Sequence, residues 1–236
     1  MINQPPGAPY ASSSTAGVKP DARLSNAFLT HAFAWMFAGL LLTAVVAGTV
    51  MGNVRAHQIA QDYLLLIILA QLGLVVVISG AINKISATVA LGLFFVYAAS
   101  VGLSVGLIVA GYTTASVAQA FLSASAMFGG AAVYGAVTKH SLASMGGFLM
   151  MALIGLFAAM IINIFLHSSA MNWLISIAGI GIFTALTAWD VQRIQAGALA
   201  ARLGSMEKAA VIGALSLYLN FLNLFLFFLR IMGGRS

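Results

Sequence analysis

Seven long runs of apolar residues, separated by short polar breaks, dominate the sequence. The runs cover residues 28–51, 63–82, 86–110, 115–137, 142–166, 173–189 and 209–229. A helix needs about 20 apolar residues to cross the hydrocarbon core of a bilayer. The runs are continuously apolar rather than alternating, which argues against a membrane β-barrel. The pattern therefore predicts an all-α polytopic membrane protein with seven transmembrane helices, and the short breaks make most consecutive helices antiparallel neighbours.

The first 22 residues differ from the rest of the chain. They contain all four prolines and three consecutive serines, with no apolar stretch. This composition is typical of a disordered segment, and the missing apolar stretch argues against a signal peptide. We therefore expect a disordered tail over residues 1–22 and a seven-helix transmembrane domain over residues 23–236.

The composition agrees with a protein that faces lipid. Hydrophobic residues make up 62% of the chain and charged residues 6%, whereas a soluble domain carries roughly a quarter charged residues. The ten Lys and Arg residues are scattered singly at the ends of the apolar runs. Such scattering favours topology signals and anionic lipid headgroups over nucleic acid as the partner of the net positive charge.

The basic residues also predict the orientation of the chain. If the tail is cytoplasmic, the cytoplasmic side holds seven basic residues and the outer side one, Arg55. The seven are Lys19, Arg23, Lys84, Lys139, Arg193, Arg202 and Lys208. The positive-inside rule therefore predicts a cytoplasmic N-terminus. The side of the C-terminus stays open, because Arg230 and Arg235 favour a re-entrant last segment while its length favours a full span.

Acidic residues are rare, and one of them lies at membrane depth. Asp62 and Glu207 suit helix N-termini, where the helix dipole favours a negative charge, and Asp21 lies in the tail. Asp190 instead ends the sixth apolar run, near its inner boundary. Two interpretations carry equal weight on spacing alone. Asp190 is either an interfacial residue paired with Arg193 at i+3, or a functional group, as ionisable residues inside membranes often are.

The last apolar run carries a polar stripe. Gly213, Ser216, Asn220 and Asn223 recur at a spacing that places them on one helix face. Amide groups need hydrogen-bond partners in hydrocarbon, so this face should point into the helix bundle. It lines a polar path or makes interhelical hydrogen bonds that only hold the bundle together. Gln71 and Asn163, in the second and fifth runs, are candidate partners under either interpretation.

Enzymatic chemistry finds little support. Gly102, Ser104 and Gly106 match the G-x-S-x-G pattern of serine hydrolases, but that motif requires a strand, a turn and a helix. Here the pattern lies within an apolar run, where the two glycines are better explained by close helix packing inside one protomer, or else by a dimer face. The four histidines have no metal-binding spacing, and the chain contains no cysteine. We expect no enzyme activity, no metal site and no cofactor.

Several stretches together resemble the bacterial Bax inhibitor-1 (transmembrane Bax inhibitor motif) family, in particular its YccA/YbhL-like branch. They are WMFAGLLLT at 35–43, YGAVTK at 134–139, MALIG at 151–155, LTAWDVQ at 186–192, LSLYLNFLNLFL at 215–226 and LRIMGGR at 229–235. The resemblance covers everything after the tail. It implies a seven-helix fold in which six helices surround a central C-terminal helix, and a pH-sensitive calcium leak controlled by two aspartates that share a proton.

The chain departs from that family pattern at the second aspartate. The first aspartate corresponds to Asp190, but the position of the second holds Asn220, which does not titrate. Calcium prefers several oxygen ligands that include carboxylates, so one carboxylate and one amide should bind it more weakly than two carboxylates. The basic partner that the family carries on its second helix is also missing, since residues 63–82 contain Gln71 and no Lys or Arg.

Two hypotheses for function follow. The first is a non-enzymatic protein of the bacterial inner membrane with a calcium or other cation leak at Asp190 and the polar stripe, in which the aspartate gate is weakened or absent. Its candidate residues are Asp190, Asn220, Asn223 and Ser216, supported by Arg193 and Gln71. The second, which the resemblance to the YccA-type branch suggests, is a regulator that binds other membrane proteins, such as a membrane-anchored protease.

Overall fold

Nine α-helices make up residues 22–234, the part of the chain that this computed structural model describes. They are α1 (Ala22–Gly52), α2 (Val54–Asp62), α3 (Leu64–Ala81), α4 (Ala87–Val109), α5 (Thr114–Val137), α6 (Met145–Leu166), α7 (Ser169–Gln195), α8 (Ala198–Leu203) and α9 (Met206–Met232). All except α2 and α8 are long and apolar enough to cross a membrane, which confirms the predicted class and the seven spans. The disordered tail predicted over residues 1–22 lies outside the described residues, apart from Ala22, where α1 begins.

Polar residues in the breaks set the helix boundaries. Five helices begin after a side chain that accepts a hydrogen bond from a backbone N–H three residues later, namely Asn53, Ser86, Thr113, Ser168 and Ser205. Such N-caps satisfy donors that have no partner inside the helix. Two glycines with positive φ, 68° at Gly197 and 62° at Gly204, flank α8, and glycine adopts this conformation without steric cost.

Three of the predicted breaks contain several helical residues. The break over residues 52–62 holds all of α2, and α7 begins inside the break over residues 167–172. The break over residues 191–208 contains α8 and is wrong at its start, because α7 continues to Gln195. Apolar character does end near Asp190, but Gln192 and Arg193 find partners inside the protein. Their polar side chains therefore do not need water, and the helix extends beyond the hydrophobic run.

The last helix, α9, lies at the centre of the bundle. In its spanning stretch 72% of the positions are buried, compared with 6% in α3. It packs against α1, α4, α5 and α7, while α3 packs chiefly on α4 and α6 on α7. The expected arrangement around a central C-terminal helix is thus present in two layers, with four helices on α9 and two outside them.

The path of α9 also bears on the side of the C-terminus. The helix runs unbroken through 27 residues, about 40 Å at 1.5 Å per residue. A re-entrant segment would need a turn inside this stretch, and none is present. Of the two alternatives left open by the sequence, the full span fits the structure.

Gly102 and Gly106 pack α4 against α1. A Cβ atom added at Gly102 would lie 2.6 Å from Val46 Cβ and 2.8 Å from the Thr43 carbonyl oxygen, and one at Gly106 would lie 2.8 Å from Val50 Cβ. Only glycine allows the helices to approach this closely. Internal packing, the first of the two interpretations of this glycine pair, is therefore confirmed.

Replacing Gly102 by alanine should destabilise the bundle. Because the added methyl group would overlap α1 backbone and side-chain atoms, we expect Gly102→Ala to lower the free energy of unfolding in detergent micelles by about 1–3 kcal/mol. Gly92→Ala is the matched control, since Gly92 lies in the same helix with no atom within 4 Å of its added Cβ. Equal stability of the two variants would contradict the close α1–α4 contact.

Candidate functional site

Asp190 is buried between α7 and α9, and each of its carboxylate oxygens has one partner. Its exposed fraction is 4%. Arg193 Nη2 donates to Asp190 Oδ1 at 2.7 Å, and Asn220 Nδ2 donates to Asp190 Oδ2 at 2.9 Å. The carboxylate thus has an ion pair within its own helix and a hydrogen bond to the central helix. Both partners favour the charged form of Asp190, because each one is a donor.

The guanidinium of Arg193 is held on two sides. Besides its ion pair with Asp190, it lies over the indole of Trp189, with Cζ 4.2 Å from the ring centroid. Trp189 in turn packs on α6 at Gly146, where an added Cβ would lie 2.7 Å from Trp189 Cζ2. Arg193 Nε is buried without a hydrogen-bond partner. The cation is therefore positioned by α6 and α7 together and neutralises Asp190 locally.

Backbone contact between α5 and α7 contributes to the burial of Asp190. A Cβ atom at Gly135 would overlap the carbonyl group of Ala188, two residues before Asp190. Only glycine at position 135 lets α5 lie directly on α7 there. After Asp190, the Gln192 amide donates to the His140 carbonyl at 2.8 Å and accepts from Leu142 N–H at 2.7 Å. These contacts attach the α5–α6 connection to α7 next to the carboxylate.

The structure does not join the predicted polar stripe into one path. Asn220 alone of the stripe contacts Asp190. Asn223 donates to the Leu219 carbonyl of its own helix at 2.8 Å and is half-buried, as is Ser216. The roles assigned to Ser216 and Asn223 in an ion path stay predictions.

Gln71 and Asn163 form their hydrogen bonds away from Asp190. Gln71 donates to the Ser100 carbonyl at 2.8 Å and to Ser104 Oγ at 2.9 Å, so it joins α3 to α4. Asn163 Oδ1 accepts from Ser168 N–H at the turn between α6 and α7. Neither residue partners the amides of α9. The hydroxyl oxygen of Ser104, the residue of the hydrolase-like pattern, accepts the hydrogen bond from the Gln71 amide.

A second polar contact of α9 was missed by the sequence analysis. Tyr218 OH lies 2.7 Å from Thr43 Oγ1 of α1, and Thr43 Oγ1 lies 3.0 and 2.9 Å from the carbonyls of Gly39 and Ala98. Since Thr43 has one hydroxyl hydrogen for these carbonyls, Tyr218 donates to Thr43. The contact joins α1, α4 and α9 in the middle of the bundle. No local pattern marks it, because a Thr and a Tyr in apolar helices are common.

Removing Arg193 should destabilise the protein more than removing Asp190 and Arg193 together. Arg193→Gln leaves a buried carboxylate without its cation, and we expect a loss of about 3 kcal/mol in the free energy of unfolding, near the lower end for a buried pair. The double variant Asp190→Asn/Arg193→Gln should recover most of this loss, because no charge stays buried.

Arg202→Gln is the control for general loss of positive charge, since Arg202 is exposed at the same end of the molecule. Denaturation of the purified proteins in detergent micelles measures the free energy of unfolding of the wild type and of the three variants. If Arg193→Gln is as stable as Arg202→Gln, the ion pair contributes nothing to stability.

Comparison with known proteins shows the family to which the chain belongs. Residues 25–236 match the family model described as inhibitor of apoptosis-promoting Bax1. The chain is 39% identical to the inner membrane protein YbhL of Escherichia coli K12, over 92% of this chain and 95% of that protein. It is 41% identical to an uncharacterised protein of Deinococcus radiodurans, over 89% of this chain and 91% of that one. The chain therefore belongs to the Bax inhibitor-1 family.

Proposed function

We propose that this protein is a non-enzymatic cation leak of the bacterial inner membrane, with calcium as the leading candidate ion and Asp190 as the group that attracts it. The observation that carries the proposal is the burial of Asp190. Of the three carboxylates within residues 22–234, Asp62 and Glu207 are exposed and Asp190 alone is buried in a spanning helix. A buried charge inside a membrane is costly and is often retained for function.

The contact between Asp190 and Asn220 is the proposed gate. It joins α7 to the central helix, so a cation that approaches Asp190 along α9 must displace the Asn220 amide from Oδ2. Arg193 occupies the other oxygen and keeps the pair neutral. In this arrangement the pathway is closed, and the resting leak should be small.

The amide changes how this gate responds to pH. Two carboxylates stay together only while they share a proton. The Nδ2 group of Asn220 donates its hydrogen at any pH, so its bond to Asp190 needs no shared proton. We therefore propose a leak with little pH dependence, in place of the pH-sensitive leak that the family resemblance implies.

Calcium flux from loaded proteoliposomes tests the proposal. We expect a small wild-type leak that is similar from mildly acidic to mildly alkaline pH, and its loss in Asp190→Asn, which removes the charge. Asn220→Asp restores a carboxylate pair and should make the leak change severalfold across the same range. Asn163→Asp is the matched control, because it adds the same charge at a buried position of another spanning helix, where the side-chain oxygen accepts from Ser168 N–H away from Asp190, and its leak should follow the wild type.

A regulatory role is the second candidate function. The observation that favours it is that Asp190 is neutralised and hydrogen-bonded entirely within the protein, as a purely structural residue would be. The partner would be another membrane protein, such as a membrane-anchored protease. A wild-type protein without any leak, together with a leak in Asn220→Asp, would contradict the first proposal and favour this one.

The proposed orientation places the N-terminus in the cytoplasm. Five basic residues lie at one end of the described bundle, namely Lys84, Lys139, Arg193, Arg202 and Lys208. Lys208 Nζ donates to the Asn83 carbonyl at 3.3 Å, which joins the first turn of α9 to the connection between α3 and α4. Arg55 and Arg230 lie at the other end. The positive-inside rule assigns the first end to the cytoplasm.

Single cysteines measure this orientation without background, because the chain has no cysteine of its own. In spheroplasts, we expect a membrane-impermeant maleimide to label Arg55→Cys and Ser236→Cys directly. It should label Lys139→Cys only after the membrane is permeabilised. Direct labelling of Lys139→Cys would reverse the orientation, and protection of Ser236→Cys would contradict the full span of α9.

A further inference from the structure

A cavity of about 490 Å³ opens at the Lys208 end of the bundle, between α1, α4 and the first turns of α9. It is separate from Asp190, which is not among its lining residues. Its walls combine one carboxylate, one imidazole, one indole and the hydroxyl of Thr88 with aliphatic, thioether and aromatic side chains. The lining includes Phe28, His31, Trp35, Leu91, Glu207 and Val211.

Glu207 brings a negative charge to this cavity without a cation of its own. It lies in the first turn of α9, after the N-cap Ser205. The neighbouring Lys208 donates to the Asn83 carbonyl instead, and Asp190 with Arg193 form the one salt bridge among residues 27–234. The carboxylate is thus free to receive a cationic ligand, and it opposes the entry of an anion.

His31 adds a hydrogen-bond acceptor. Its Nδ1 lies 2.8 Å from the Ala27 carbonyl oxygen, and because a carbonyl only accepts, Nδ1 carries the hydrogen. In the neutral ring Nε2 is then an acceptor. Two acceptors are too few for a dedicated metal site, and no group of three metal-binding side chains occurs within the described residues.

Trp35 adds an aromatic wall. Its ring packs edge-to-face on Phe95, with centroids 6.1 Å apart, which fixes the indole on the α1 side of the cavity. Aromatic rings attract organic cations, and apolar residues such as Leu91 and Val211 suit a short hydrocarbon group. The volume lies within the usual range of about 300–1,000 Å³ for small-ligand pockets.

We propose that this cavity binds a small organic cation, an ammonium group carried on a short apolar stem, with Glu207 and His31 holding the ammonium and Trp35 contacting the stem. A free amine and the ethanolamine headgroup of a membrane lipid share this chemistry. Because the first turn of α9 forms one wall, the bound cation would fix the position of α9 relative to α1 and α4. The site does not depend on any ion leak at Asp190.

Calorimetric titration of the full-length protein in phosphatidylglycerol nanodiscs tests the site, with phenethylammonium as the probe. We expect saturable binding to the wild type, and binding weaker by roughly tenfold or more in Glu207→Gln, which keeps the shape and removes the charge. His31→Phe should weaken binding as well. The neutral analogue 2-phenylethanol should bind wild type and Glu207→Gln equally weakly. Asp62→Asn is the matched control, because it removes an exposed carboxylate at the opposite end of the bundle, and its affinity should equal that of the wild type.

Nanodiscs that contain phosphatidylethanolamine distinguish the two sources of the ligand. Weaker apparent binding of the probe there indicates that the lipid headgroup occupies the cavity, and unchanged binding indicates a free amine. The proposal is overturned if phenethylammonium does not bind, or if Glu207→Gln binds it as tightly as the wild type. Since no flux is measured, this result stands apart from the outcome at Asp190.

Discussion

Polar groups inside the membrane need partners within the protein, and this constraint determines where α9 lies. The helix carries an amide at Asn220 and a phenol at Tyr218, neither of which lipid can satisfy. One finds the carboxylate of Asp190 on α7, and the other finds Thr43 on α1. The two hydrogen bonds fix the central helix from different sides. The surrounding helices are arranged so that these bonds are protected from lipid and water.

Glycines allow the surrounding helices to approach one another closely. Gly102 and Gly106 let α4 lie on α1, and Gly135 lets α5 lie on the α7 backbone beside Asp190. Gly146 receives the ring of Trp189, which in turn carries the cation that neutralises the carboxylate. Van der Waals contact is the main attraction between helices in lipid, so these close approaches both stabilise the bundle and determine the geometry around the buried Asp190.

The sequence predicts what depends on neighbouring residues and misses what depends on distant ones. Runs of apolar residues predict the seven spans, and helical spacing gives the pair of Asp190 with Arg193 as one of two interpretations of equal weight. The contact of Asp190 with Asn220 was anticipated only through the family resemblance. Gln71 was a candidate hydrogen-bond partner for the amides of α9, but it donates to α4 instead. The rotation of a helix about its own axis is set by packing that no local pattern encodes. The same reason hides the bond between Thr43 and Tyr218 and the extension of α7 beyond its apolar run.

The position of α9 has a consequence for biosynthesis. The ribosome delivers this helix after α1, α4, α5 and α7, all of which contact it in the finished bundle. During translation the earlier helices therefore enter the membrane without their common core, and Asp190 lacks its amide partner until α9 arrives. A nascent chain without α9 leaves Asp190 without the amide of Asn220, which distinguishes it from the assembled bundle. Closure of the bundle around its central helix thus follows the synthesis of α9.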